Sequence, residues 1–346
     1  QTNGHTLKYM HERIEYVDYM RGIAIILVVM GHLIQFNGFP TSNPVFEFIY
    51  SFHMPLFFAI SGYITQKVTR IETLHQYFIY LKKKFITIAL PLITWSLLFN
   101  PYLLKEEWKI LSWEEVLMTL QNPGLWFLKM LFIVLVYYGI FNLIYNKFSR
   151  TNFFNIILAL IPVILLTLIS VYINIQEINL ILFSYAFYLG CFIAKLPSIE
   201  RFILKQSVYT LSFLLFFILA THWNFEGNKI DDIYKITIST FCFIFLLNFC
   251  RKFKFNERVK SILQLFGTQS LAIYIIQFHL CKLGDGMINV YIQSINPFIL
   301  FLISLIIAIP ISYTCCIVAK AIYSNHHHLL SFLLFGKRIR DIQKTE

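Results

Sequence analysis

Residues 17–39 read VDYMRGIAIILVVMGHLIQFNGF. The stretch is long and apolar enough to cross the hydrocarbon core of a bilayer as one helix, yet it carries Asp18, Arg21 and His32. Ionisable groups at that depth are costly. They normally face a protein interior or a wet cavity, and they mark function by default. His32 follows Arg21 by eleven residues. At about 100° per residue that is close to three full turns, so both side chains share one face about 16 Å apart along the axis. Asp18, three residues before Arg21, falls on the same face. Acid, guanidinium and imidazole thus line one side of the helix, as in the wall of a reaction path.

The composition extends this reading to the whole chain. Of 346 residues, 58% are hydrophobic, 18% aromatic and only 14% charged, against roughly a quarter charged in soluble proteins. The mean hydropathy is +0.65. The six cysteines, Cys191, Cys242, Cys250, Cys281, Cys315 and Cys316, lie in or beside apolar stretches without metal-type spacing. They read as packing residues rather than disulfides or ligands. No cleavable signal peptide is expected, because the first apolar segment is too long and has no small-residue cleavage site.

Ten apolar segments can be marked, near 17–39, 44–66, 85–104, 125–146, 153–173, 178–196, 207–223, 231–250, 264–283 and 296–322. Basic residues decide their orientation. With the N-terminus inside, most of the 29 lysines and arginines fall on cytoplasmic connections, and the outer ones hold Lys105, Lys109 and Lys229 among several acids. The expected fold is an all-α integral membrane protein. It is a single bundle of about ten transmembrane helices with both termini cytoplasmic, in the cell's inner (plasma) membrane. Residues 1–16 form a cytoplasmic segment, 17–324 the bundle and 325–346 a basic cytoplasmic tail. The net charge of +11 is then mainly topological, holding loops at an anionic inner leaflet. The scatter of the basic residues excludes a nucleic-acid partner. The run Lys82-Lys83-Lys84 stands at the cytoplasmic mouth of the third segment. It reads equally as topogenic or as a set of phosphate point charges.

The second segment supplies another histidine, in Phe52-His53-Met54-Pro55-Leu56-Phe57-Phe58-Ala59-Ile60-Ser61-Gly62-Tyr63. Read as one helix running inward, it places His53 about 13 Å from its outer end, and His32 lies about 10 Å from the outer end of its own helix. The two imidazoles therefore reach similar depths. Pro55 has no N–H to donate, which frees the Ser51 carbonyl, and such groups in a membrane need partners in a polar cavity. An interhelical hydrogen bond is the plainer role of one intramembrane histidine. Two at matched depth beside a proline favour chemistry.

These residues carry a resemblance. Tyr16-Val17-Asp18-Tyr19-Met20-Arg21-Gly22 followed by His32, with the Phe52–Tyr63 run, resembles the membrane-bound acyltransferase 3 family. That family's signature is a basic residue, ten intervening residues and a histidine on the first helix. Gly124-Leu125-Trp126-Phe127-Leu128 is similar to its Trp-Phe block, and Gly267-Thr268-Gln269-Ser270-Leu271-Ala272-Ile273-Tyr274 to its penultimate-helix block. The blocks occur in the family's order across essentially the whole chain. There are two departures. Where many relatives carry two arginines before the proline of the third helix, this chain has Lys84-Phe85-Ile86-Thr87 ahead of Pro91. Where relatives often carry a histidine three residues after Tyr274, it has Gln277. His279, five residues from that tyrosine, lies about 140° around the helix from it and does not take that histidine's place.

The resemblance implies transfer of an acyl group, usually acetyl from acetyl-coenzyme A, to a hydroxyl of a cell-surface polysaccharide or lipid-linked sugar. O-acylation needs a base for the hydroxyl proton, and a neutral histidine suits that near pH 7. His32 and His53 are the candidate catalytic residues, His32 foremost as general base or acyl relay. Arg21 with Lys82, Lys83 and Lys84 are the candidate donor-binding residues. Asp18, Ser61, Trp126, Tyr274 and Gln277 are supporting candidates. No metal and no permanently bound cofactor is expected. The partners are the bilayer, a coenzyme A thioester, the glycan acceptor and a separate extracytoplasmic protein if one receives the acyl group. Coenzyme A is cytoplasmic and surface glycans are finished outside. Three routes remain open: the pantetheine arm reaches up a channel, an enzyme residue relays the acyl group, or a lipid-linked acceptor is modified before export. A transporter or flippase for a lipid-linked sugar or acyl group is the alternative, and it predicts no coenzyme A affinity. His326-His327-His328 is a weak metal candidate. Leu329 to Phe335 is expected to rest on the inner membrane surface.

Overall fold

The computed structural model describes residues 14–99, 112–121, 124–148, 178–227, 229–283, 295–324 and 328–336. Every regular element among them is helical. In chain order these are α1 (Glu15–Phe36), α2 (Pro44–Tyr50), α3 (His53–Val68) and α4 (Leu74–Lys84). Next comes an irregular stretch: a π-helical turn at Phe85–Ala89, the short α5 (Leu90–Thr94) and a second π-helical turn at Trp95–Phe99. Then follow α6 (Trp113–Gln121), α7 (Trp126–Phe148), α8 (Ile178–Lys195), α9 (Pro197–Ile203) and α10 (Gln206–Ala220). The remainder are α11 (Lys229–Lys252), α12 (Glu257–Thr268), α13 (Ser270–Leu280), α14 (Pro297–Ser324) and α15 (His328–Phe335).

Five helical runs are long and apolar enough to cross a membrane: Glu15–Phe36, Pro44–Val68, Trp126–Ile144, Tyr234–Lys252 and Pro297–Tyr323. Two sharply bent pairs raise the number to seven. Leu182–Lys195 meets Pro197–Ile203 at 102°, and Glu257–Thr268 meets Ser270–Leu280 at 85°. The expected segment 153–173 and the His326-His327 pair lie outside the described residues, and the segment 85–104 is described to residue 99. The expected segment 207–223 is the 15-residue α10.

Helix α1 is unbroken and central. It packs against α3, α11, α12, α13 and α14. In a membrane, apolar side chains gain little by leaving lipid for protein, so close backbone approach and polar bonds carry helix association. Two crossings here are of that kind. On α1 and α12, a Cβ added to Gly22 would meet the Leu263 carbonyl, and one added to Gly267 would meet the Asp18 carbonyl. On α3 and α8, a Cβ at Gly62 would meet the Phe187 carbonyl, and one at Gly190 the Ala59 carbonyl. Ala186, Gly190 and Ala194 recur every fourth residue along α8, the small-residue spacing that admits such contact. Asn37 ties off the far end of α1. Its Nδ2 donates to the carbonyls of Leu33 (2.8 Å) and Cys281 (2.7 Å), and its Oδ1 accepts from the Leu283 N–H.

One sequence expectation is corrected. The segment 44–66 is not one helix. The chain breaks at Ser51 and Phe52, and α3 begins at His53. Pro55 thus sits in the first turn of α3, where a missing N–H costs nothing, rather than inside a helix. The segment Leu329–Phe335 is helical and leaves Leu329 and Leu330 exposed. Helix α15 is docked onto the third segment with Ser331, Leu334 and Phe335 buried. Trp95 Nε1 donates to the Leu334 carbonyl at 2.9 Å, a contact that amphipathic patterning alone cannot reveal. All six cysteines are buried and unbridged.

The described ends of α1, α3, α9 and α11 meet at a polar knot that the sequence reading missed. Arg251 donates to the Tyr16 hydroxyl (2.6 Å), the Tyr63 hydroxyl (2.9 Å) and Glu200 Oε1 (2.7 Å). Tyr63 donates to Glu200 Oε1 (2.5 Å), and Lys67 to Glu200 Oε2 (2.6 Å). The Arg251 guanidinium also lies 4.3 Å from the Tyr16 ring centre. One buried carboxylate thus serves two cations and joins four helices. Removing one member of such a set strands the others, which costs more than the set contributes. Glu200→Ala is expected to destabilise the protein by about 3 kcal/mol, and Tyr63→Phe by about 1 kcal/mol. Thermal melts in detergent check this, and equal melting temperatures for wild type and Glu200→Ala would show that the knot holds nothing.

Candidate active site

His32 and His53 are brought together. His32 lies on the last two turns of α1, and His53 opens α3. They are close enough for their charges to interact. The break before α3 gives His53 its aim. Its Nδ1 donates to the Ile49 carbonyl at 2.8 Å, the acceptor that its own backbone N–H would use in a continuous helix. That bond fixes the tautomer and leaves Nε2 as the basic nitrogen. Tyr50 packs edge-on against the His53 ring at 4.6 Å and donates its hydroxyl to Gln35 at 2.7 Å.

Aromatic rings enclose His32. Phe36 stacks on it at 5.2 Å, and Phe278 lies 4.7 Å away. Gln277 approaches the His32 ring from α13, but neither the buried His32 Nδ1 nor the buried Gln277 Oε1 reaches hydrogen-bond alignment with any group. Buried polar atoms are nearly always bonded. The Gln277 amide is held on its other side, where Nε2 donates to the Tyr274 carbonyl at 3.4 Å.

Tyr274 is buried in the same wall. It packs on Phe278 at 5.8 Å and on Phe127, at the start of α7, at 5.4 Å. Trp126 stands apart: it is 38% exposed and stacks on Phe183 at 5.3 Å, so its neighbour Phe127 makes the contact with Tyr274. Ser61 is eight residues along α3 from His53, about 12 Å at the helical rise, and is not part of this wall. Lys235 on α11 was not expected. It lies 5.0 Å from the Trp223 ring centre, and its charge reaches His53. Tyr50, Phe36, Phe278 and Lys235 had no signal in the sequence beyond their residue types.

Further along α1, Asp18 is buried and interacts with Arg21. The three lysines divide: Lys82 and Lys83 are exposed, and Lys84 is turned inward toward Arg21. Lys84 Nζ lies 5.4 Å from the Tyr80 ring centre. Burial first, then the charges of Lys83 and Arg21, lower its ammonium from the usual 10.5 to about 8. Lys84 thus lies within reach of the Arg21 charge.

The chain belongs to the acyltransferase 3 family, whose pattern, described as an acyltransferase domain, matches residues 14–317; members of this family are embedded in membranes. Among curated proteins, it is 52% identical over 52 residues to Nodulation protein NolL of Sinorhizobium fredii and 47% identical over 53 residues to that of Mesorhizobium japonicum. Each match covers 14% of this chain and 14% of the relative. No solved structure matches the chain significantly.

The two jobs of His53 can be separated. Asparagine at this position retains an N–H donor for the Ile49 carbonyl but has no imidazole Nε2. His53→Asn is expected to melt like wild type, and His53→Ala about 1 kcal/mol lower, the worth of one hydrogen bond. Thermal melts of the two purified variants check this, and identical melts for wild type and His53→Ala would remove the bond from the fold.

Proposed function

We propose that this protein transfers an acyl group, acetyl from acetyl-coenzyme A, to a hydroxyl of a cell-surface polysaccharide or lipid-linked sugar. The supporting topology is ten spans in the inner membrane with both termini cytoplasmic, argued from the alternation of basic connections. The observation that carries the reading is the layout of α1: an enclosed imidazole near one end and the Arg21–Lys84 pair toward the other. Arg21 and His32 are about 16 Å apart along the axis, a span that an extended pantetheine arm covers. This favours direct transfer over an enzyme-bound relay.

The chemistry then runs as follows. Arg21 and Lys84 hold donor phosphates, and Asp18 orients the guanidinium. The His32 imidazole, beside Gln277, is the general base. It takes the acceptor hydroxyl proton as that oxygen attacks the thioester carbonyl carbon. The C–O bond forms, the C–S bond breaks, and the imidazolium returns the proton to the leaving thiolate. His53 Nε2 accepts a hydrogen bond that orients the acceptor. Tyr274 holds the wall against Phe127, and Trp126 and Ser61 have supporting places outside the reacting centre. Lys82 and Lys83 contribute long-range attraction of the anionic donor at the cytoplasmic surface. A separate extracytoplasmic protein is the partner where the acceptor lies beyond reach.

His32→Ala is expected to abolish glycan acylation, read as the loss of the acyl mass increment in surface glycans, while leaving acetyl-coenzyme A affinity within about twofold, since His32 meets the carbonyl rather than the phosphates. Normal acylation in a well-expressed His32→Ala strain would remove the histidine from the mechanism. Absence of any donor binding by wild type would favour the transporter reading.

The Lys84 ammonium makes a pH prediction. A lysine near 8 is charged below that pH and neutral above it, so donor affinity is expected to hold from pH 6 to about 8 and then fall, up to about tenfold per unit. Lys84→Arg, charged throughout, should flatten the profile. Lys82→Ala with Lys83→Ala should instead weaken binding at low salt and much less at high salt, because exposed charges are screened. Acetyl-coenzyme A titrations of purified protein read all three. A wild-type affinity that is flat to pH 9.5 would take Lys84 out of the donor site.

A further inference from the structure

The acyltransferase pattern ends at residue 317, yet the chain continues into α15, which is built into the protein rather than appended to it. It docks on the most irregular part of the bundle. The third segment is two π-helical turns around the five-residue α5. Such turns are rare and occur often at functional sites. A segment of this kind has neighbouring registers of similar energy and needs an external support to choose one.

We propose that α15 is a clamp that sets Lys84 against Arg21, with Trp95 and Gly336 as its positioning residues. It rests on the reading of Arg21 and Lys84 as the donor-phosphate site. The clamp touches both π turns. In the first, Gly336 lies against the backbone: an added Cβ would meet the Ile86 carbonyl and come within 2.7 Å of the Thr87 Cα. Gly336 also has φ +62°, and its N–H caps α15 on the Phe332 carbonyl at 2.9 Å. Glycine is thus required there twice, for its backbone conformation and for its lack of a side chain. In the second turn, Trp95 donates to the Leu334 carbonyl and its ring lies 6.1 Å from Phe335.

The support reaches both sides of the anion site. Toward Lys84, Thr87 Oγ1 donates to the Lys83 carbonyl at 2.9 Å, so the turn that Gly336 holds is bonded to the residue before Lys84. Toward Arg21, Phe335 packs on Tyr323 of α14 at 5.3 Å, and the Tyr323 hydroxyl donates to Gln269 Oε1 at 3.4 Å. Gln269 is the bend between α12 and α13. Two residues earlier, Gly267 abuts the Asp18 carbonyl on α1. A continuous chain of contacts therefore runs from the Lys83 carbonyl through α15 to the turn of α1 that carries Asp18 and Arg21.

The experiment compares wild type, Gly336→Ala and Trp95→Phe as full-length protein in nanodiscs, measuring acetyl-coenzyme A Kd, and KM and kcat for acyl transfer. Left-handed backbone disfavours a side chain by an amount worth about tenfold in an equilibrium, so Gly336→Ala is expected to raise donor Kd and KM about tenfold. Trp95→Phe, which keeps a ring and loses one hydrogen bond, should raise them about fivefold. The kcat at saturating donor should stay at the wild-type value, and the fall in donor affinity above pH 8 should shift in both variants. A purely structural helix would instead lower folded yield and kcat together and leave the Kd of the folded fraction unchanged, which would overturn the clamp. Should Gly336→Ala not fold, Trp95→Phe alone decides by the same criterion. Unchanged Kd in the variants with normal wild-type binding would sink the clamp alone. No donor binding by wild type would sink the donor reading and the clamp with it.

Discussion

Backbone against backbone is the constraint on which this structure depends. At the α1–α12 and α3–α8 crossings, Gly22, Gly267, Gly62 and Gly190 each face a carbonyl of the opposite helix with no room for a Cβ. Lipid solvates leucine as well as protein does, so a membrane bundle draws its cohesion from contacts that lipid cannot make. These two crossings anchor the two helices that bear the histidines. With α1 and α3 held, the interior between them can carry polar groups whose bonding is incomplete without the bundle losing its form.

The break at Ser51 and Phe52 shows how local chemistry serves that interior. Ending α2 early releases the Ile49 carbonyl, and the His53 side chain takes it. The ring is thereby oriented and its tautomer chosen by a backbone group, without a second carboxylate in the membrane. Pro55, three residues on, lies where the new helix has no use for an N–H. His32 is held differently, by the faces of Phe36 and Phe278, which fix the ring plane and leave its nitrogens to polar partners. One imidazole is set by a bond and the other by stacking. This difference is consistent with the separate roles proposed for the two rings.

Charge is distributed by depth. Around Glu200, two cations and two tyrosines are mutually satisfied and tie four helices together. Near Arg21, a second lysine is turned inward and held at the edge of neutrality. The first set is a joint, because its carboxylate and two tyrosine hydroxyls are directly bonded to the cations across four helices. The second is where the proposed donor phosphates would sit, beside Arg21 and Lys84.

Much of this was legible in the chain. The spacing of Asp18, Arg21 and His32 places them along one face because a helix repeats every 3.6 residues, and composition alone excludes a soluble fold. The ordered blocks pointed to acyl transfer through resemblance. Tertiary structure decided the rest. Gln277 joins His32 because α13 bends 85° from α12, an angle that no residue in the run announces. Lys84 separates from Lys82 and Lys83 because it ends α4 beside the Tyr80 ring, and which face of α4 is covered is set by what packs against it. Glu200 finds Arg251 across 51 residues, and α15 finds Trp95 across 239. Periodicity is a property of one helix and can be read along it. Partnership between helices depends on crossing angles and close approach, and these exist only once the bundle has formed.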